Sequence, residues 1–137
     1  MAGYDIKSEL RPVGYQVRTT TNGHQVTADE PLPAGTDAGP NPVEYLITAL
    51  NSCLLISAGS VARNRKYDVK NLKVESKARV TGHPDGSSEV AEINTTLSFD
   101  GLSDDDRQAF FKRTVEVCTV HKSLEGGIKM NIKLADN

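Results

Sequence analysis

Two cysteines, Cys53 and Cys118, are the only thiols in the 137-residue chain. Cys53 sits in the apolar run Tyr45-Leu46-Ile47-Thr48-Ala49-Leu50-Asn51-Ser52-Cys53-Leu54-Leu55-Ile56, and Cys118 directly precedes Thr119-Val120-His121. Two thiols brought together by the fold can exchange between dithiol and disulfide. Thiol redox chemistry is therefore the first functional expectation. The plainer reading makes each a small core residue, since free Cys is among the most buried types. Cys53 falls at about the twelfth residue of its helix, too far along for the dipole to acidify it. Its neighbours on the same face, Ala49, Leu50, Ile56 and Ser57, carry no charge, and apolar burial alone leaves a thiol protonated and inert. A nucleophilic Cys53 thus requires a cation from another element or another subunit, with Arg18, His121 and Lys122 as candidates. Cys118 and His121 are also spaced to hold a metal, and with Cys53 and His24 would complete a Cys2His2 zinc set. No second close ligand pair supports that set, so no metal and no cofactor are expected.

The elements that position these residues follow from pattern. Val13, Tyr15 and Val17 alternate with polar neighbours, and Asn22-Gly23 signals a hairpin turn before a return strand over His24–Ala28. The stretch from Asp29 to Pro40 is rich in Pro and Gly and reads as a loop of the length that often carries function. Asn41 can cap a helix that starts at Pro42 and runs to about Lys66, apolar nearly all round from Tyr45 to Ile56 and so central and buried. Gly59-Ser60 could bend it. Glu44 either closes a capping box or orients a nearby Arg. Leu72, Val74, Ala78 and Val80 mark one face of a strand. Ala91, Ile93, Leu97 and Phe99 mark its antiparallel partner. Ser103 begins a second helix with Asp104, Asp105 and Asp106 in its first turn. Its apolar stripe is Phe110, Thr114, Val117 and Cys118. A last strand carries Ile128, Met130, Ile132 and Leu134.

Composition narrows the setting. The net charge of −2 supplies no basic field for nucleic acid or an anionic membrane. No uninterrupted apolar run reaches the length of a membrane span, because Thr48, Asn51 and Ser52 break the one near residue 50. No signal-peptide core follows Met1-Ala2-Gly3-Tyr4-Asp5, so a cytoplasmic protein is expected, where a disulfide is transient rather than structural. The length fits a single domain over residues 1–137. A hydrophobic content of 37% without Trp is lean and points to oligomerisation.

Three segments, Asn41-Pro42-Val43-Glu44-Tyr45-Leu46, Ala49-Leu50-Asn51-Ser52-Cys53 and Cys118-Thr119-Val120-His121-Lys122-Ser123-Leu124, resemble the OsmC/Ohr family of osmotically inducible and organic-hydroperoxide-resistance proteins. The order of elements matches as well, and Ala28-Asp29-Glu30-Pro31 is similar to the OsmC-like branch. The resemblance implies an α+β, OsmC-like fold: antiparallel sheets, a long buried central helix, and an intertwined homodimer with active sites at the subunit interface. It implies a peroxidase acting mainly on organic hydroperoxides, with Cys53 peroxidatic, Cys118 resolving, an external dithiol as reductant and no cofactor. The sequence departs from the family pattern at two points. Val43 stands where a Glu directly follows the Pro, with Glu44 one residue later and about 100° further round the helix. The usual Arg has no matching Gly-Arg context, so Arg18 is a candidate by location only. These departures keep open a second reading, a non-catalytic dimer that binds a small ligand or senses redox state.

Overall fold

The computed structural model describes residues 2–136. Its contacts divide the chain into two compact units, one ending at Leu46 and the other beginning at Ile47.

The N-terminal unit holds an antiparallel sheet of β1 (Lys7–Leu10), β2 (Val17–Thr21) and β3 (His24–Ala28) in that order. Asn22 and Gly23 both take positive φ, 47° and 79°, as a two-residue hairpin turn with right-handed twist demands. The sequence reading placed a strand at Val13 and Tyr15, but β2 starts only at Val17. It also missed β1, whose sequence Lys-Ser-Glu-Leu is exposed throughout and has no alternation to detect. The loop after β3 is ordered around one buried carboxylate. Asp29 accepts the Tyr15 (3.2 Å), Glu30 (2.8 Å), Thr36 (3.0 Å) and Ala38 (3.1 Å) amides and the Thr36 hydroxyl (2.5 Å). The Thr36 hydroxyl, against the opposing effect of burial and together with the loop amides, holds this carboxyl well below the usual range. A Cβ on Gly35 would meet the Glu30 carbonyl, and one on Gly39 the Thr27 carbonyl, so only glycine allows the loop to close this tightly.

Helix α1 (Pro42–Arg65) opens as the sequence predicts, with the Asn41 side chain accepting the Glu44 amide at 2.9 Å. From Ile47 onward it belongs to the C-terminal unit. There β4 (Lys70–Gly82) and β5 (Ser88–Asp100) form a long antiparallel hairpin, followed by α2 (Asp104–Val117), α3 (Thr119–Leu124) and β6 (Lys129–Leu134). The sheet order is β4-β5-β6, and β6 lies parallel to β5. Helices α2 and α3 supply the crossover that parallel pairing requires, so this sheet is mixed rather than wholly antiparallel. The α+β class holds.

Helix α1 buries one stripe, Leu50, Leu54, Ser57, Ala58 and Val61, at the three- and four-residue spacing of a single helical face. The core continues through Ile93, Thr95, Leu97 and Phe99 of β5 and Phe110 of α2. Phe110 meets Phe99 and Tyr67 edge-on at 4.9 and 5.9 Å. Two expectations need correcting. Within one chain α1 is buried on one face only, and Ile56 is 73% exposed. Ala78 and Val80 are exposed as well, where a bulge between Arg79 and Val80 breaks the alternation of β4. By length and composition α1 could cross a membrane, because three polar interruptions weigh little over a whole helix. Its polar positions are nonetheless used internally. The Ser76 hydroxyl donates to Asn51 Oδ1 at 2.5 Å and shares a 2.8 Å hydrogen bond with Thr95, tying α1 to both strands of the hairpin.

Candidate active site

The C-terminal unit brings the two cysteines together. Cys53 is half-buried on α1, Cys118 is fully buried, and both pack in one apolar cluster with Leu50, Leu54 and Ile93. Cys118 does not continue α2. Its extended backbone (φ −73°, ψ 107°) ends α2 and caps α3. Its amide bonds the Val115 carbonyl at 3.3 Å, and its carbonyl accepts the Lys122 amide at 3.0 Å. The break leaves the first amides of α3 without helical acceptors. The Val120 and Thr119 amides favour the charged form of Cys53, and the His121 amide that of Cys118. The two thiols bear on one another's ionisation, and the Ser57 hydroxyl also favours a charged Cys53.

This geometry drives the two thiols apart electrostatically. Burial alone would raise the Cys53 pKa, but the Val120 amide, the Cys118 thiol, the Thr119 amide and the Ser57 hydroxyl outweigh it, and the net shift is downward from 9.0. Cys118 goes the other way. Burial is the main cause, the neighbouring Cys53 sulfur and its charge add to it, and the pKa is pushed up to about 11 despite the His121 amide. One thiol is set to ionise while the other keeps its proton as a donor.

Burial is the strongest influence on Cys53 and raises it, while the groups that lower it are the Val120 and Thr119 amides, the Cys118 thiol and the Ser57 hydroxyl. Arg18 lies on β2 of the N-terminal unit, opposite Glu9 and Thr27 in the sheet. Glu44 lies in the first turn of α1, its amide bound by Asn41. His121 serves through its backbone, and Lys122 closes the first turn of α3. His24 starts β3. Among the described residues no group of three or more His, Cys, Asp or Glu side chains is placed to hold a metal, so the Cys2His2 set is not assembled. Sequence reasoning missed the α3 amides, because every residue carries one and side-chain type does not mark them. It named Ser57 only as an uncharged neighbour, although its distance of four residues from Cys53 was the available signal. It also missed Arg107, buried with its guanidinium on the Phe99 and Ala135 carbonyls, both at 3.0 Å, and over the Phe99 ring.

Comparison with known proteins agrees with this architecture. The chain belongs to the OsmC family: the model for OsmC-like proteins matches residues 35–133, a span that includes both cysteines. No curated protein sequence matches it significantly. Among solved structures, it is similar to an OsmC-like protein from Mycoplasma pneumoniae (TM-score 0.87, 23% identity, 98% of this chain and 96% of that one). It is similar to an organic hydroperoxide resistance protein OsmC from Legionella pneumophila (TM-score 0.78, 16% identity, 99% and 98%). A third is an organic hydroperoxide resistance protein from Elizabethkingia anophelis with thiocyanate bound (TM-score 0.80, 14% identity, 100% and 98%). These likenesses establish the fold.

Proposed function

We propose that the protein is a thiol-dependent peroxidase that reduces organic hydroperoxides as part of an oxidative stress response. The observation that carries this reading is the packing of Cys53 and Cys118 in one apolar cluster, where the α3 amides favour a charged Cys53. A merely structural buried thiol would be raised and inert, so the lowered Cys53 also favours catalysis over the reading as a passive ligand holder. Two fold relatives bear names of hydroperoxide resistance.

In the first step the Cys53 thiolate attacks the terminal oxygen of the hydroperoxide. The O–O bond breaks, the sulfur becomes a sulfenic acid, and the alkoxide takes a proton and leaves as an alcohol. Cys118 then attacks the sulfenic sulfur, an S–S bond forms and water leaves. An external dithiol reduces the disulfide and is itself oxidised, restoring both thiols.

We further propose that residues 1–137 act as one domain and as a cytoplasmic homodimer. The N-terminal unit buries no apolar side chain among its described residues, while Ile6, Leu10 and Leu32 are each more than 60% exposed. Ile56 on α1 is exposed too, and apolar surface of this kind is characteristic of an interface.

The test is consumption of cumene hydroperoxide with a dithiol, alongside intact mass after one equivalent of oxidant. Wild type should turn over and lose two hydrogens on oxidation. Cys53→Ser should do neither, and equal turnover by both proteins would refute the assignment.

A further inference from the structure

The two sulfurs of the candidate site are not equally open to a partner. Cys118 is 0% exposed and packs against Leu50 and Leu54 of α1 and Ile93 of β5. Its backbone is fixed where α2 gives way to α3, with both its amide and its carbonyl hydrogen-bonded. Cys53 is only half-buried. On one side it adjoins Leu50 and Leu54, which α1 turns to the core. On the other it adjoins Ala49, one turn earlier, and Ile56, one turn later, both of them exposed. Cys53 therefore stands on the border between the buried stripe of α1 and its open face.

We propose that the external dithiol opens the oxidised pair at the Cys53 sulfur alone, and that Cys118 is always the leaving group. This rests on the peroxidase reading, in which the two cysteines form a disulfide. Thiol–disulfide exchange depends on which sulfur is attacked and on access to it. The attacking sulfur comes in line with the bond that breaks, from the side opposite the leaving sulfur. With Cys118 on the core side, the line onto Cys53 opens toward the exposed face of α1. The reverse line, onto Cys118, would cross close-packed apolar side chains. A second subunit could only bury Cys118 further. A thiolate of the reductant thus bonds to the Cys53 sulfur, the internal S–S bond breaks, and its electron pair leaves on Cys118, which takes a proton. Burial favours that protonated form. The second thiol of the reductant, deprotonated, then attacks the reductant's own sulfur in the mixed disulfide. Cys53 leaves as a thiolate, and the reductant departs as a disulfide.

The experiment uses the wild-type chain, oxidised with diamide, which takes two hydrogens from a thiol pair and is not a peroxide. The oxidised protein is mixed briefly with mercaptoethanol, quenched in acid and mapped by peptide mass spectrometry. The Cys53 peptide should carry the mercaptoethanol adduct and the Cys118 peptide a free thiol. An adduct on Cys118, or an even split between the two, overturns the proposal. So does a folded protein in which diamide forms no internal disulfide. A parallel sample receives cumene hydroperoxide in place of diamide. An adduct confined to Cys53 after diamide, in a protein that hydroperoxide never oxidises, would uphold the point of attack and sink the peroxidase reading. Rapid hydroperoxide turnover with the adduct on Cys118 would do the reverse.

Discussion

Thr119→Pro removes an amide that favours the charged form of Cys53, with little cost to the fold. Thr119 is the first residue of α3, a position where proline is favoured because the missing amide has no helical partner. Proline also requires extended backbone in the residue before it, and Cys118 already has it, with ψ 107°. Val120→Pro would not be equivalent, since Thr119 would then have to leave the helical region. A hydrogen bond to a charged acceptor contributes about 1.5–3 kcal/mol. For a half-exposed sulfur the lower end applies, about 1.5 kcal/mol, which is a factor of about ten in thiolate population below the midpoint. A more basic thiolate is also about threefold more nucleophilic for such a change. The net result is a roughly threefold slower reaction with iodoacetamide at neutral pH and a roughly threefold faster one at a pH where the thiol is fully ionised. The rate profiles of Thr119→Pro and wild type should therefore cross. Thr119→Ala keeps the amide and should follow wild type. If Thr119→Pro and Thr119→Ala give the same profile while circular dichroism shows both folded, the α3 amide does not govern Cys53.

Other residues yield sharp expectations. Thr114 is fully buried and its hydroxyl has no partner among the described residues, so Thr114→Val should raise stability by about 1 kcal/mol, roughly 4 °C in melting temperature; a lower melting temperature would contradict the orphan assignment. Ser76→Ala strands the Asn51 and Thr95 oxygens it now joins and should cost about 1–3 kcal/mol in urea unfolding. Asp29 is held below its ordinary 3.8, so the unfolded chain binds the proton first as pH falls. Its stabilisation is complete above 3.8 and is lost only as pH drops through the depressed folded value. Hydrogen exchange should find the Thr36 and Ala38 amides protected at pH values near 4, and unprotected even at neutral pH in Asp29→Asn.

Where a side chain marks its own structural role, the chain could be read in advance. Asn41 before Pro42, Asn22 before Gly23 and Ser103 before three acidic residues each carry a local mechanism, and each occurs where that mechanism puts it. The two thiols and the order of elements were legible in the same way. Three features were hidden for physical reasons. Strand β1 is an exposed edge with no periodic burial. The parallel placement of β6 depends on a crossover, which no local pattern of β6 encodes. The activation of Cys53 relies on backbone amides exposed by a helix break at Cys118, and the continuous apolar stripe through Phe110, Thr114 and Cys118 conceals that break.

The most direct test is a site-resolved titration, with each cysteine's alkylation followed by mass spectrometry across pH. Cys53 should reach half-reactivity below 9.0, while Cys118 resists until the pH approaches about 11. A Cys53 that titrates at or above 9.0, or a Cys118 that reacts first, would contradict the account.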